Sequence, residues 1–349
     1  MSFTVTLLPS GRSFLAGPDD TVLNAGLKAG INLPYSCRTG VCSTCKCRIE
    51  RGEIEQGFTL SPYLPAEERQ AGYVLICSAR PRSDLVIEVE EVDTLAAIKP
   101  KIWPVRVVEQ RLASPDVMLL KLRLPMNETL QFVAGQYVEM QLADGDTRCY
   151  SIAHRPDVQE MPYIELHVRH VPGGKFTDRL FAGDFKAGMM LRLEAPLGTF
   201  FLRPSDQPAI LLASGTGFAP IKAIVEDAMH RDISRPLHVY WGGRKKTDLY
   251  MDALVREWAE RYPNLTYTPV LSEPTESCAW TGRSGLVHRA VMADWPDMQD
   301  VQVYACGTPL MVESARGDFR STCGLPAAAF FADSFLTERE KAIQTPAEA

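Results

Sequence analysis

Four cysteines constrain this chain more than any other feature. Cys37-Arg-Thr-Gly-Val-Cys42-Ser-Thr-Cys45 places three of them in one short loop, and Cys77 follows after a gap. The first three have the C-x4-C-x2-C spacing with which thiolates hold a [2Fe–2S] cluster. A loop around inorganic sulfur needs conformational freedom and inward-facing amides. Gly40 supplies the first, and Ser36, Arg38, Thr39, Ser43 and Thr44 can supply the second. A four-cysteine zinc site is the nearest rival, but it usually sets its ligands in two short C-x2-C pairs, and only one is found here. A disulfide framework is the remaining alternative. Cys47 lies outside the spacing and reads as a buried strand thiol.

An iron–sulfur centre moves one electron at a time, so a donor and an acceptor must lie elsewhere. With 349 residues the chain has room for two or three domains. Its 46% hydrophobic and 23% charged residues are those of a globular protein. A net charge of -6, with no basic stripe, argues against a nucleic-acid partner. No apolar run reaches membrane-spanning length and no signal-peptide pattern opens the chain, so no membrane partner is expected. Nine cysteines, four of them in the motif, imply a reducing compartment, and the cytoplasm is expected. A monomer is expected.

In residues 1–95, Phe3–Leu8 alternates, Ser13–Ala16 is its hairpin partner, and Thr21 can cap a helix over Val22, Leu23 and Leu27. Val74–Cys77 delivers the last ligand and Asp84–Val89 closes the sheet. This order resembles the plant-type [2Fe–2S] ferredoxin, which implies an α+β β-grasp fold with Cys37, Cys42, Cys45 and Cys77 as the metal ligands. Residues 96–104, with Pro100 and Pro104, read as a linker. Over residues 103–204, short runs at Val105–Glu109, Val117–Leu124, Tyr137–Leu142, Ile164–Val168 and Leu191–Glu194, with a hairpin signal at Asp144-Gly145, predict an all-β barrel. From 205 to 338 the rhythm becomes strand then helix. Ala209–Ala213, Leu237–Trp241, Leu265–Val270 and Val301–Cys306 predict an α/β doubly wound sheet, and residues 339–349 a loose tail.

Three further motifs follow in order: Arg148-Cys-Tyr150-Ser151 with Gly173-Gly174-Lys-Phe-Thr177, then Gly215-Thr216-Gly217, then Cys306-Gly307-Thr-Pro309. Together they resemble the ferredoxin–NADP reductase family, which implies FAD and a nicotinamide cofactor. By that resemblance Tyr150 stacks on the flavin, Ser151 approaches its N5, and Arg148 holds a phosphate. Gly174 and Thr177 direct an amide and a hydroxyl to phosphate, and His167 and Val168 join the flavin set. Tyr137 reads as core. Gly215, Thr216 and Gly217 face the pyrophosphate of the nicotinamide cofactor. Cys306 and Gly307 lie beside the nicotinamide, so Ser151 and Cys306 are the residues assigned to hydride transfer, Cys306 as a positioner and not a nucleophile. Arg244 and Asp248 match a pattern common in NADH users, with Asp248 meeting ribose hydroxyls; NADPH is the alternative. Phe335 falls where the family places an aromatic against the flavin.

As a whole the chain resembles the reductase components of aromatic-ring dioxygenases and multicomponent monooxygenases. The resemblance implies electron transfer from NADH through FAD and the [2Fe–2S] cluster to a separate oxygenase in aromatic hydrocarbon catabolism. A CDP-6-deoxyglucoseen reductase has the same domain order, and its acceptor would be an iron–sulfur dehydratase. A redox sensor or carrier module is a third reading, of another class. Six histidines without facial-triad spacing place oxygen activation in the partner.

Overall fold

A computed structural model describes residues 2–59, 61–156 and 163–335. The expected tail, and the segment after Leu336, lie outside the described residues. The chain forms two compact units, Met1–Lys99 with the segment that begins at Ala332, and Pro100–Phe331. Barrel and nucleotide sheet, expected as separate domains, therefore group as one unit.

The first unit starts with the alternating run. β1 (Phe3–Leu8) pairs antiparallel with β2 (Ser13–Ala16), and Val5 and Leu7 point into the core. Thr21 then caps α1 (Val22–Lys28), its hydroxyl accepting the Asn24 N–H at 3.2 Å. The cluster loop leads into β3 (Lys46–Arg51) and β4 (Ile54–Gln56), followed by α2 (Ala66–Gln70), β5 (Tyr73–Leu75), β6 (Ala79–Pro81) and β7 (Leu85–Glu88). The sheet order is β2-β1-β7-β3-β5, with β1 and β7 parallel, so the first and last strands meet at its centre. Both ends of the cluster loop are thereby fixed to one frame.

The second unit opens with β8 (Lys101–Ser114) and β9 (Val117–Arg123). β8 begins inside the stretch expected to be linker. Trp103 is buried, its indole N–H donates to Ala195 O at 3.1 Å, and Lys101 lies over its ring at 3.6 Å. Pro104 had suggested a boundary, yet it sits within a strand, pairing with Arg192. Then come β10 (Tyr137–Gln141), β11 (Thr147–Ser151), β12 (Tyr163–Arg169), the short α3 (Thr177–Phe181) and β13 (Met190–Leu197). The strand order is β11-β10-β13-β8-β9-β12. An antiparallel bridge between Ile152 and Leu166, and Ala153 N–H donating to Glu165 O at 2.9 Å, join the two outer strands and close the barrel. Asp144-Gly145 makes the predicted hairpin between β10 and β11. β11 itself is absent from the sequence-predicted strands, because its half-buried residues show no clean alternation.

The nucleotide half follows with β14 (Ala209–Ser214), α4 (Phe218–His230), β15 (Leu237–Gly243), α5 (Asp252–Arg261), β16 (Leu265–Leu271), β17 (Arg283–Ser284), α6 (Val287–Asp294), β18 (Gln302–Gly307), α7 (Pro309–Cys323) and β19 (Phe330–Ser334). The order is β17-β16-β15-β14-β18-β19, with β14 to β16 and β18 parallel. Successive strands step outward from β14 and then cross to β18 on its other side. That reversal makes a switch point at the carboxyl ends of β14 and β18, where ligands of such sheets bind. Phe218 stacks on Trp241 at 3.9 Å beneath it.

Trp103→Ala separates barrel core from linker. Removing a buried indole from a core costs about 3–5 kcal/mol, whereas a linker site would cost within roughly 0.5 kcal/mol. The urea midpoint followed by far-UV circular dichroism is expected to show the larger loss.

Candidate active site

The cluster loop coils tightly because three nearby residues adopt left-handed backbone angles: Arg38 (φ 55), Gly40 (φ 77) and Ser43 (φ 58). This turns amides inward. Thr39 and Val41 N–H groups each donate to Cys37 Sγ at 3.4 Å, and Cys37 N–H donates to Cys42 Sγ at 3.5 Å. All four cysteines of the motif are buried. They stand in two pairs, with Cys37 close enough to hydrogen-bond Cys42, and Cys45 likewise close to Cys77. Two thiolates for each of two irons is what a [2Fe–2S] cluster asks of its donors. Among the described residues, no group of three or more His, Cys, Asp or Glu side chains is placed to hold a single metal ion. Burial alone would push the Cys37 thiol up, but hydrogen bonds from Cys42 and from the Val41 and Thr39 amides outweigh it and bring Cys37 down to about 6. The amides thus stabilise thiolate at Cys37, while Cys42 and Cys45 are pushed up by their neighbours Cys37 and Cys77 and by burial. Cys47, by contrast, is pushed up to about 12 by burial alone.

Within the same unit, the chain's last described strand residues lie against this loop. The Ser36 hydroxyl donates to the Asp333 carboxylate, Thr44 Oγ1 donates to Ala332 O at 2.8 Å, and Ser334 Oγ donates to Val41 O at 3.1 Å. Each bond falls on the residue immediately before a ligand: Ser36 before Cys37, Val41 before Cys42, Thr44 before Cys45. Burial pushes the Asp333 carboxyl up to about 8.

In the barrel, Arg148, Tyr150 and Ser151 are delivered together by β11, which runs antiparallel to β10 so that Ser151 faces Tyr137. Tyr150 lies 5.5 Å from Phe176. Tyr137 is buried, and its ring fills the space in which a side chain on Gly198 would clash. His167 and Val168 are buried on β12. Gly174 and Thr177, expected to serve a phosphate, shape the turn between β12 and α3. Gly174 N–H donates to Val171 O at 2.8 Å, and Thr177 Oγ1 donates to the same oxygen at 2.9 Å while accepting from Val171 N–H. Both donors are spent shaping the turn, because a short chain reversal must satisfy its own polar groups first.

At the switch point, Gly215–Gly217 forms one tight turn into α4. A Cβ on Gly217 would lie 2.2 Å from the Cys306 carbonyl oxygen, so only glycine lets this turn pass the end of β18. That contact brings Gly215, Thr216 and Gly217 beside Cys306 and Gly307, as the motif order implied. Thr308 caps α7 with Pro309 at its first turn, which gives the Gly-Thr-Pro sequence a local structural reason.

Asp248 is buried, and its carboxylate accepts the Arg244 and Lys245 N–H groups at 2.7 and 3.1 Å and the Arg169 guanidinium at 3.2 Å. These bonds fold the loop after β15. The Arg244 side chain is 64% exposed and remains available to a ligand. Lys246 lines a cavity of about 510 Å³ with Arg256, Tyr267, Trp280 and Arg283, so cations and aromatic rings converge beside that loop. Phe335 follows β19 directly.

Residues 5–82 match the family model of the 2Fe-2S iron-sulfur cluster binding domain, 104–202 the oxidoreductase FAD-binding domain, and 211–317 the oxidoreductase NAD-binding domain. The chain is 38% identical, over 97% of its length and all of the relative's, to a CDP-6-deoxy-L-threo-D-glycero-4-hexulose-3-dehydrase reductase of Yersinia pseudotuberculosis. It is 36% identical, over 97% of its length and 98% of the relative's, to reductase component 2 of the terephthalate 1,2-dioxygenase of Comamonas sp. The solved structure of the reductase GcoB of Amycolatopsis superposes with a TM-score of 0.75 at 32% identity, covering 96% of this chain and 99% of that one. The chain belongs to the iron–sulfur flavoprotein reductases.

When its cofactors are bound, the reductase takes a hydride from the nicotinamide onto FAD and releases electrons singly through the [2Fe–2S] cluster. Its own residues supply the thiolate loop, a strand carrying Tyr150 and Ser151, and the glycine turn against Cys306. Sequence reasoning missed the C-terminal contacts on the cluster loop, because nothing local marks Ala332–Ser334 as partners of residues nearly the whole chain away.

Two outcomes are expected. The double variant Thr44→Val/Ser334→Ala removes two of the loop bonds at roughly 1 kcal/mol each; iron release to a chelator from the oxidised protein should quicken by about thirtyfold. Asp248→Asn should raise KM for NADH and NADPH by the same factor, since the carboxylate acts through loop shape; steady-state assays with both nucleotides check this.

Proposed function

We propose that this reductase is NADH-dependent, works as a monomer in the cytoplasm, and passes single electrons to a separate oxygenase component. The observation that carries this reading is the end-to-end match to a dioxygenase reductase component, with the same three cofactor-binding domains in one chain. Relatives named as phenol hydroxylase and phenol 2-monooxygenase reductase proteins support the same class of acceptor. The Arg244-x-x-x-Asp248 pattern supports NADH through its resemblance to NADH users, not through the loop bonds that Asp248 makes with the Arg244 and Lys245 amides. Nine free cysteines support a reducing compartment, and no helix among the described residues is long and apolar enough to cross a membrane.

A second acceptor has a specific observation in its favour. The 38% identity that spans the whole of a hexulose-3-dehydrase reductase supports an iron–sulfur dehydratase partner. The two are separated by mixing the NADH-reduced protein with each purified acceptor in stopped flow and following reoxidation of the cluster. An oxygenase component is expected to reoxidise it within the turnover time, and a dehydratase that does so faster would reverse the assignment.

The order of carriers is tested by Cys42→Ser. Transfer to cytochrome c should fall to background while NADH–ferricyanide activity, which can draw on the flavin, is retained. Loss of both activities from a folded, flavin-loaded variant would contradict the order.

A further inference from the structure

Strand β12 presents Glu165, His167 and Arg169 on one side through its period of two, and each meets the nucleotide half of the same unit. Arg169 bridges Asp116 at 2.8 Å and Asp248 at 3.2 Å. His167 Nδ1 lies 2.8 Å from the Tyr250 hydroxyl, and its Nε2 lies 3.2 Å from Glu165. The central member is Lys222, a buried lysine on α4. Its Nζ donates to Ala153 O at 2.6 Å and stands 2.8 Å from Glu226 and 3.4 Å from Glu165. Glu226 in turn accepts the Arg155 N–H at 3.3 Å.

The placement of these partners is specific. Ala153 lies two residues beyond Ser151, Glu165 two residues before His167, and Lys222 five residues beyond Gly217. One ammonium group therefore ties the helix that begins at the nucleotide turn to β12 and to the segment just past the end of β11. Burial by itself would raise Glu165, but His167 and Lys222 outweigh it and bring it down to about 2, so Glu165 is a carboxylate at neutral pH. A buried charge pair of this kind contributes little stability that an apolar pair could not replace, while it does fix geometry.

We propose that Lys222 is a positioning residue for hydride transfer, holding the Gly215–Gly217 turn in register with the strand ends that carry Ser151 and His167. The inference rests on the assignment of those strand ends to FAD and of that turn to the nicotinamide cofactor. Hydride transfer needs reacting atoms within a near-attack distance, and a misplacement of about 1 Å can cost roughly a hundredfold in rate. A joint at the helix start is where such a shift would arise.

The test compares Lys222→Met with the double variant Lys222→Met/Glu165→Gln in the full-length holoenzyme. The single variant leaves Glu165 and Glu226 without their ammonium partner and is expected to lower the melting temperature. The double variant removes the more buried carboxylate as well, leaving Glu226, whose side chain is 23% exposed, to water, and is expected to recover the parent's melting temperature and FAD content, with KM for NADH within about twofold, while kcat for ferricyanide reduction stays about a hundredfold low. Amide exchange in the peptide spanning 215–221 should remain faster than in the parent. A double variant whose kcat returns with its stability would overturn the proposal, because the lysine would then serve the fold alone. Loss of FAD from the double variant would overturn it equally. Failure of the underlying site assignment shows elsewhere, as a parent protein that holds FAD but is not bleached by NADH.

Discussion

Holding negatively charged sulfur in a buried loop is the requirement on which the rest of this structure depends. Thiolates out of water must be stabilised by the chain itself, and here the nearest donors are backbone amides. To aim them inward the loop adopts left-handed angles at Arg38, Gly40 and Ser43, conformations that persist only where surroundings hold them in place. The β-grasp sheet fixes the loop's two ends, and the hydroxyls of Ser36, Thr44 and Ser334 fix the residues before three of its ligands. Sheet and side-chain contacts together explain why a short motif needs a whole domain.

The second unit solves a different problem, that of bringing two nucleotide cofactors together. Closing the barrel through Ile152 and Leu166 puts β11 and β12 side by side, the strands that carry Tyr150, Ser151 and His167. Reversing the sheet at β14 places the glycine turn against Cys306, where backbone approaches backbone because Gly217 has no side chain. Charged side chains of β12, buried or half-buried, pair with Lys222, Asp248 and Tyr250 of the nucleotide half. Their cost in desolvation is offset by pairing, so they act as locating pins more than as a source of stability.

Much of this was legible in the linear chain wherever the physics is local. The C-x4-C-x2-C spacing, the β1–β2 hairpin, the Thr21 cap and the buried runs of β14, β15, β16 and β18 all depend on neighbours within a few residues. The Gly-Thr-Pro triplet likewise folds into a cap and a first helical turn. Sequence reasoning was blind to the local use of some side chains. Asp248 and Thr177 carry groups that a ligand would want, and those same groups hold their own loops together. Pro104 looked like a boundary and instead lies in a strand.

By itself, then, the sequence determined which cofactors the chain is equipped for and which short segments fold as local units, because ligand spacing and backbone permissiveness are properties of adjacent residues. Only the tertiary structure decided the cysteine pairing, the clasp of Ala332–Ser334 on the cluster loop, and the junction of Lys222 with Glu165 and Ala153. Those contacts join groups brought together by sheet order and barrel closure, and an isolated stretch of chain bears no mark of a partner chosen by topology.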